Sequence, residues 1–270
     1  MSELSKYFTN AFSHSYKSKT PDEYVFQRGD YRFSVLSSRI IRVEKDEKRI
    51  FTDEATQTVI CRDFDRPQFG FSQDNNKIVI KTDDIIFRFD LSKGKTESVT
   101  LKDSRCVTNF KAGNLKGTYR TLDMINGSVR LGDGLMSTNG VSVVDDSKTV
   151  IVSTDGTLKE RRHIQKDEYY FAFGNDFRGC LKDFFKLCGS VPLVPRYCLG
   201  NWWSRYKDYS QQEYIDLMKK FLERDIPISV ATIDMDWHWV DVIKRFGKEN
   251  ALFRRDGFLP YRNIVEAVSY

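Results

Sequence analysis

A mainly β chain with a C-terminal α/β part is the fold class this sequence predicts, and three observations predict it. Between residues 24 and 174 short apolar runs alternate with turn formers, and no helix-length pattern interrupts them. After Gly174 the apolar residues recur at helical spacing instead. Beyond Pro195 the order becomes strand, helix, strand.

The β-patterned runs, in order, are YRFSVL (31–36), RIIRV (39–43), KIVIK (77–81), DIIFRF (84–89), TVIV (149–152) and EYYFAF (168–173). The turn formers DNN (74–76), SKG (92–94) and Asn126-Gly127 lie between them. Frequent short strands with period-two alternation predict an antiparallel β-sandwich. Gly94, Lys95 and Thr96 read as a hairpin turn, because a phosphate loop ending there needs glycine where Phe89 stands.

Phe177, Cys180, Leu181, Phe184 and Cys188 fall on one face of a helix; Asn175 or Asp176 can cap its start, and Gly189 with Pro192 stops it. The expected organisation is an N-terminal extension (1–23), a β-sandwich domain with its closing helix (24–190) and an α/β part (191–270). Within the last part, residues 198–203 form a short apolar run. Ser210 and Glu213 have the spacing of a capping box, and Tyr214, Leu217, Met218, Phe221 and Leu222 share the helix face that follows, ending near Arg224. Residues 226–233 are nearly continuously apolar, as in a parallel strand buried on both faces. A β-α-β crossover requires a parallel sheet, and two strands do not make a stable one. The tail therefore reads either as a small appended α/β piece or as the opening of a larger barrel; residues 261–270 have a further helix-like pattern.

Composition excludes several function classes. The 43 basic and 38 acidic residues are interspersed, giving a net charge of only +5 and no single-sign field. The densest basic stretch, KERRHIQK (159–166), reads as a solvated loop, and no nucleic-acid recognition motif accompanies it. Neither a signal peptide nor a run of ~18 apolar residues is present, so neither a membrane partner nor secretion is expected, and the expectation is a cytoplasmic protein. Cys61, Cys106, Cys180, Cys188 and Cys198 are odd in number and widely spaced, and read as buried thiols of a reducing compartment. His14, His163 and His238 lie far apart and no Cys/His spacing suits zinc, so no metal and no cofactor is expected.

The stretch ATIDMDWHW (231–239) concentrates the chemistry. Asp234 and Asp236 stand where the second parallel strand should finish, which is where ligands gather in α/β architectures. Residues i and i+2 share a face about 7 Å apart, so the pair suits glycosidic-bond chemistry; it equally suits one aspartate capping the next element and the other in solvent. Trp202 and Trp203 end the preceding strand, and an aromatic floor beside carboxylates fits a sugar ring.

The segment PRYCLGNWWSRYKDYSQQEYIDLMKKFLERDIPISVATIDMDWHW (195–239) resembles the opening of the catalytic barrel of glycoside hydrolase family 31, the α-glucosidase and α-xylosidase family. Upstream, NLKGTYRTLD (114–123), LGDGLMSTNG (131–140) and VDDS (144–147) resemble that family's N-terminal β-sandwich, although Val141 stands where many members carry Trp. The resemblance implies a galactose-mutarotase-like β-sandwich followed by the first β-α-β of a truncated (β/α)8 barrel. It implies a retaining mechanism on an α-linked oligosaccharide or glycoside. It also implies that Asp234 hydrogen-bonds sugar hydroxyls, Met235 contacts the ring and Trp202 forms the pocket wall, with Asp236 and Trp237 as supporting residues.

The family's nucleophile and acid/base come from later strands, so no catalytic residue is expected within these 270 residues and the chain alone is expected to be inactive. The competing reading is a non-catalytic carbohydrate-binding or scaffold β-sandwich module. A homo-oligomer is compatible with either.

Overall fold

A computed structural model describes residues 16–118, 125–161, 163–191 and 193–234, and the backbone of two further short strands at 252–254 and 257–259. The chain is mainly β with few helices, as the patterning predicts. It divides into two compact units, Met1–Val191 and Pro192–Tyr270.

In chain order the first unit opens with β1 (Val25–Arg28), β2 (Tyr31–Ser37), β3 (Ile40–Lys45) and β4 (Ala55–Thr56). It continues with β5 (Phe69–Asp74), β6 (Lys77–Thr82), β7 (Ile85–Asp90), β8 (Lys95–Leu101) and β9 (Cys106–Val107). It closes with β10 (Val141–Asp145), β11 (Ile151–Val152), β12 (Leu158–Lys159), β13 (Lys166–Ala172) and α1 (Phe177–Cys188). One antiparallel sheet has the order β1-β2-β3-β13-β10, and a second has the order β5-β6-β7-β8-β9. A small third sheet, β12-β11-β4, is made of two-residue strands.

Period-two alternation explains the layering. Phe33 and Val35 of β2, Ile41 and Val43 of β3, and Tyr170 and Ala172 of β13 share one core with Ile78, Ile80, Phe87, Phe89 and Val99 of the second sheet. The intervening side chains face the other way. There Ile40, Tyr169 and Phe171 pack with Leu36, Phe64, Cys180 and Leu187, which seats α1 on that face. Asp176 caps α1 by accepting from Gly179 N, and the Leu187 carbonyl near its end accepts from Ile60 N and Cys61 N.

The remainder of that second face is ionic. Arg42 donates Nε and Nη2 side-on to the two Asp167 carboxylate oxygens at 2.7 and 2.8 Å, and Nη2 lies 3.0 Å from Glu44. Arg32 grips Glu44 at 2.6 and 2.9 Å, and Arg161 reaches Asp167 at 2.6 Å. Arg62 donates to the Tyr169 hydroxyl and to the Ser18 carbonyl. Burial opposes ionisation of Asp167, yet the attraction and hydrogen bonds of Arg42, with Arg161 beside it, hold its carboxyl well below the usual range. Arg161 belongs to the stretch read as a solvated loop. Its side chain is instead 3% exposed, because two buried carboxylates, Asp146 and Asp167, recruit it.

The second unit contains β14 (Trp202–Trp203), α2 (Gln211–Glu223) and β15 (Val230–Ala231), with β14 and β15 paired in parallel. Ser210 and Glu213 form the expected capping box at α2. Beyond them β16 (Leu252–Arg254) and β17 (Gly257–Leu259) pair antiparallel. Two expectations change here. The 226–233 run forms a strand only at Val230–Ala231, and Ile226 and Ile233 are exposed, since β15 has a pairing partner on one edge alone among the described residues. Residues 196–199 form a 3-10 turn ahead of β14, started by Pro195. The helix-like 261–270 stretch lies outside the described residues.

Among the described residues no helix is long and apolar enough to cross a membrane. All five cysteines are free; Cys180 is buried, whereas Cys106 is exposed, against the expectation of buried thiols, because it starts a two-residue edge strand.

Candidate functional site

The site is built on the ends of β14 and β15. Their register pairs Trp202 with Val230 and Trp203 with Ala231, and the ladder continues as Thr232 N donates to the Trp203 carbonyl at 2.9 Å. The start of the pair is tied by Asn201, whose carbonyl accepts from Ser229 N and whose side chain donates to the Pro227 carbonyl. Tyr214 of α2 donates its hydroxyl to the Thr232 carbonyl at 2.6 Å, fixing the helix against the end of β15.

Alternation then sorts the side chains. Trp203 faces α2, with its ring 4.8 Å from that of Phe221. Trp202, one residue earlier, is on the opposite face and 53% exposed, with its indole N–H donating to the Cys198 carbonyl at 2.9 Å. Ser204 follows Trp202 by two residues and shares its face. Its hydroxyl donates to Asp234 Oδ2 at 3.2 Å, bridging the segments that follow the two strands.

The structure therefore brings Asp234 to the carboxyl end of the parallel pair, beside Ser204 and on the strand pair that carries Trp202. Met235, Asp236 and Trp237 lie outside the described residues, as does His238. Ser204 was not singled out by sequence reasoning, although its position two residues after Trp202 places it on the same face. This arrangement offers an ionisable acceptor, a hydroxyl and an exposed aromatic plane, which together can bind vicinal hydroxyls and an apolar sugar face. It supplies one described carboxylate, whereas cleavage of a glycosidic bond by retention uses two, about 5 Å apart. Among the described residues no group of three or more His, Cys, Asp or Glu side chains could hold a metal ion.

Residues 191–261 match the glycosyl hydrolases family 31 TIM-barrel domain. Over 104 residues the chain is 36% identical to an α-xylosidase of Saccharolobus solfataricus, a stretch that covers 38% of this chain and 14% of the relative. Over 70 residues it is 33% identical to α-glucosidase 2 of Bacillus thermoamyloliquefaciens, covering 26% of this chain and 9% of the relative. The matches thus span a small part of the length of these curated relatives. Among solved structures, a family 31 α-xylosidase from a soil metagenome, complexed with xylose, superposes with a TM-score of 0.52 at 12% identity, covering 83% of this chain and 44% of that one. That likeness is one of fold.

Proposed function

We propose, from the premise that this chain resembles the N-terminal portion of glycoside hydrolase family 31, that it supplies the corresponding part of a retaining α-glycosidase acting on terminal α-linked glucosides or xylosides. The observation that carries the reading is the placement of Asp234 at the carboxyl end of a parallel strand pair, bonded to Ser204 and on the pair that presents Trp202, within the segment that matches the family's barrel. In this reading residues 24–190 are the N-terminal β-sandwich with its closing helix, 191–270 are the first β-α-β of the barrel, and 1–23 are an extension. On the same reading Asp234 binds hydroxyls of the sugar about to be cleaved, Trp202 walls the pocket, Met235 contacts the ring, and Asp236 and Trp237 are supporting residues. The free thiols support a cytoplasmic setting.

Retention needs a nucleophile and an acid/base on opposite sides of the scissile bond, and an eight-stranded barrel is what normally holds them. The 270 residues alone are accordingly expected not to hydrolyse glycosides. The test is the purified chain incubated with aryl α-glucosides and α-xylosides. Hydrolysis that disappears in Asp234→Ala overturns the inactive reading and moves catalysis into this chain. The family reading itself is tested by saturation-transfer NMR of α-xylosides and α-glucosides, where Asp234→Ala should reduce binding at the barrel segment. A second reading, a sandwich that binds carbohydrate without catalysis, is favoured by a separate cleft in the first unit.

A further inference from the structure

A cleft of about 760 Å³ opens between the two five-stranded sheets of the first unit, a volume typical of small-molecule sites. We propose that this cleft, lined by residues of the first unit alone, is a binding site for a neutral oligosaccharide. The choice of an α-glucan as probe rests on the reading given under Proposed function; the site itself rests on the cleft.

The lining contains four lysines and four carboxylates, so neither an anion nor a cation gains a net field there. A polyhydroxylated neutral ligand gains from both, since each hydroxyl donates to a carboxylate and accepts from an ammonium. Asp145 of β10 and Glu168 of β13 are directly opposite in register. Side chains so placed start about 4.5–5.5 Å apart, and like charges at that position are unfavourable. Such a pair is an acceptor surface, and Lys166 beside Glu168 offsets its charge.

Both carboxylates are oriented. Glu168 Oε2 accepts from the Tyr170 hydroxyl at 2.8 Å and lies 3.2 Å from Lys166 Nζ, while among the described residues Oε1 has no partner. Asp145 Oδ1 accepts from Ser147 N at 2.9 Å and from its hydroxyl, while Oδ2 has none. Burial, with Glu168 beside it, holds the Tyr170 phenol protonated and therefore donating. Phe110, half-buried on the cleft wall, meets the Tyr170 ring edge-on at 5.3 Å, so an aromatic wall stands beside the acceptors. Lys95 and Lys111 make no ion pair among the described residues and remain as donors. Apolar ring face, fixed acceptors and available ammoniums together match a pyranose.

Two-dimensional amide NMR of the 270-residue chain titrated with maltotriose tests this. Shifts should map to residues around 110, 145, 168 and 170. Phe110→Ala and Asp145→Asn should each weaken binding at the cleft about five- to tenfold, and the cleft shifts should persist in Asp234→Ala even where binding at the barrel segment is lost. Asp145 is exposed, so its variant keeps the test valid if Phe110→Ala perturbs packing. No shift in the cleft at ~20 mM maltotriose, a concentration that suits a weak sugar site, overturns the inference. So does binding that tripolyphosphate reproduces. Binding abolished by Asp234→Ala and indifferent to Phe110→Ala and Asp145→Asn also overturns it, while leaving the family reading standing.

Discussion

Replacing Arg42 by alanine should cost the first unit about 3–4 kcal/mol. The side chain is fully buried, with Nε and Nη2 on Asp167 and a 3.0 Å contact to Glu44. Removing one partner of a buried ion pair typically costs about 3–5 kcal/mol, because the other charge stays dehydrated. Here Arg161 still reaches Asp167 at 2.6 Å and Arg32 still holds Glu44 at 2.6 Å, which places the expectation near the lower end of that range. Loss of the guanidinium over the Tyr169 ring, 5.4 Å away, adds a fraction more. Arg42→Lys keeps the charge but not the planar fork, and should lose about 1–2 kcal/mol. The appropriate assay is amide hydrogen exchange of β3 and β13, since a chain of two units need not unfold in one step. A loss below about 1 kcal/mol would refute the argument that this network secures the strands. More is at stake than stability. Asp167 and Tyr169 face the network while Glu168 and Tyr170 face the cleft, and a slip of one residue would exchange the two sets.

The same carboxylate predicts an acid response. Held below an unfolded value of about 3.9, Asp167 stabilises the fold above that pH, and its contribution is lost as pH falls toward about 2; Arg42→Ala should therefore unfold at a higher pH in an acid titration followed by circular dichroism. Burial pushes the Cys180 and Cys188 thiols up to about 12, so at pH 8 iodoacetamide should label exposed Cys106 first and reach the other two chiefly on unfolding; equal labelling rates read by mass spectrometry would contradict this. Ser210→Ala removes the acceptor for Glu213 N and should loosen the first turn of α2 by about 1 kcal/mol, seen as faster amide exchange there. Gly140 has φ +87°, and a Cβ on it would stand 2.6 Å from the Gly174 Cα, so Gly140→Ala should destabilise the first unit by roughly 1–3 kcal/mol in urea unfolding.

Local physics was legible where each residue answers to its neighbours in sequence. Alternating Val, Ile, Phe and Tyr marked the long strands; the Asn175–Asp176 pair, of which Asp176 is the cap, and the Ser210–Glu213 pair marked the starts of both helices. What sequence patterning does not encode is which distant strand lies alongside. The pairing of β13 between β3 and β10 joins Arg42 to a residue 125 positions away, and that pairing turned Arg161 from an apparent surface charge into a buried one. The two sites differ for the same reason. Trp202 and Asp234 were visible because a parallel β-α-β puts its strand ends together by rule, and Ser204 follows from counting two residues onward. The cleft takes Phe110 from beyond β9, Asp145 from β10 and Glu168 with Tyr170 from β13, in no motif and at no fixed spacing. Its acceptor pair exists only in the register of β10 on β13, in which Asp145 meets Glu168 and Val143 meets Tyr170. A carboxylate facing a carboxylate is invisible in one dimension and conspicuous in two, because only the register of β10 on β13 brings Asp145 and Glu168 side by side.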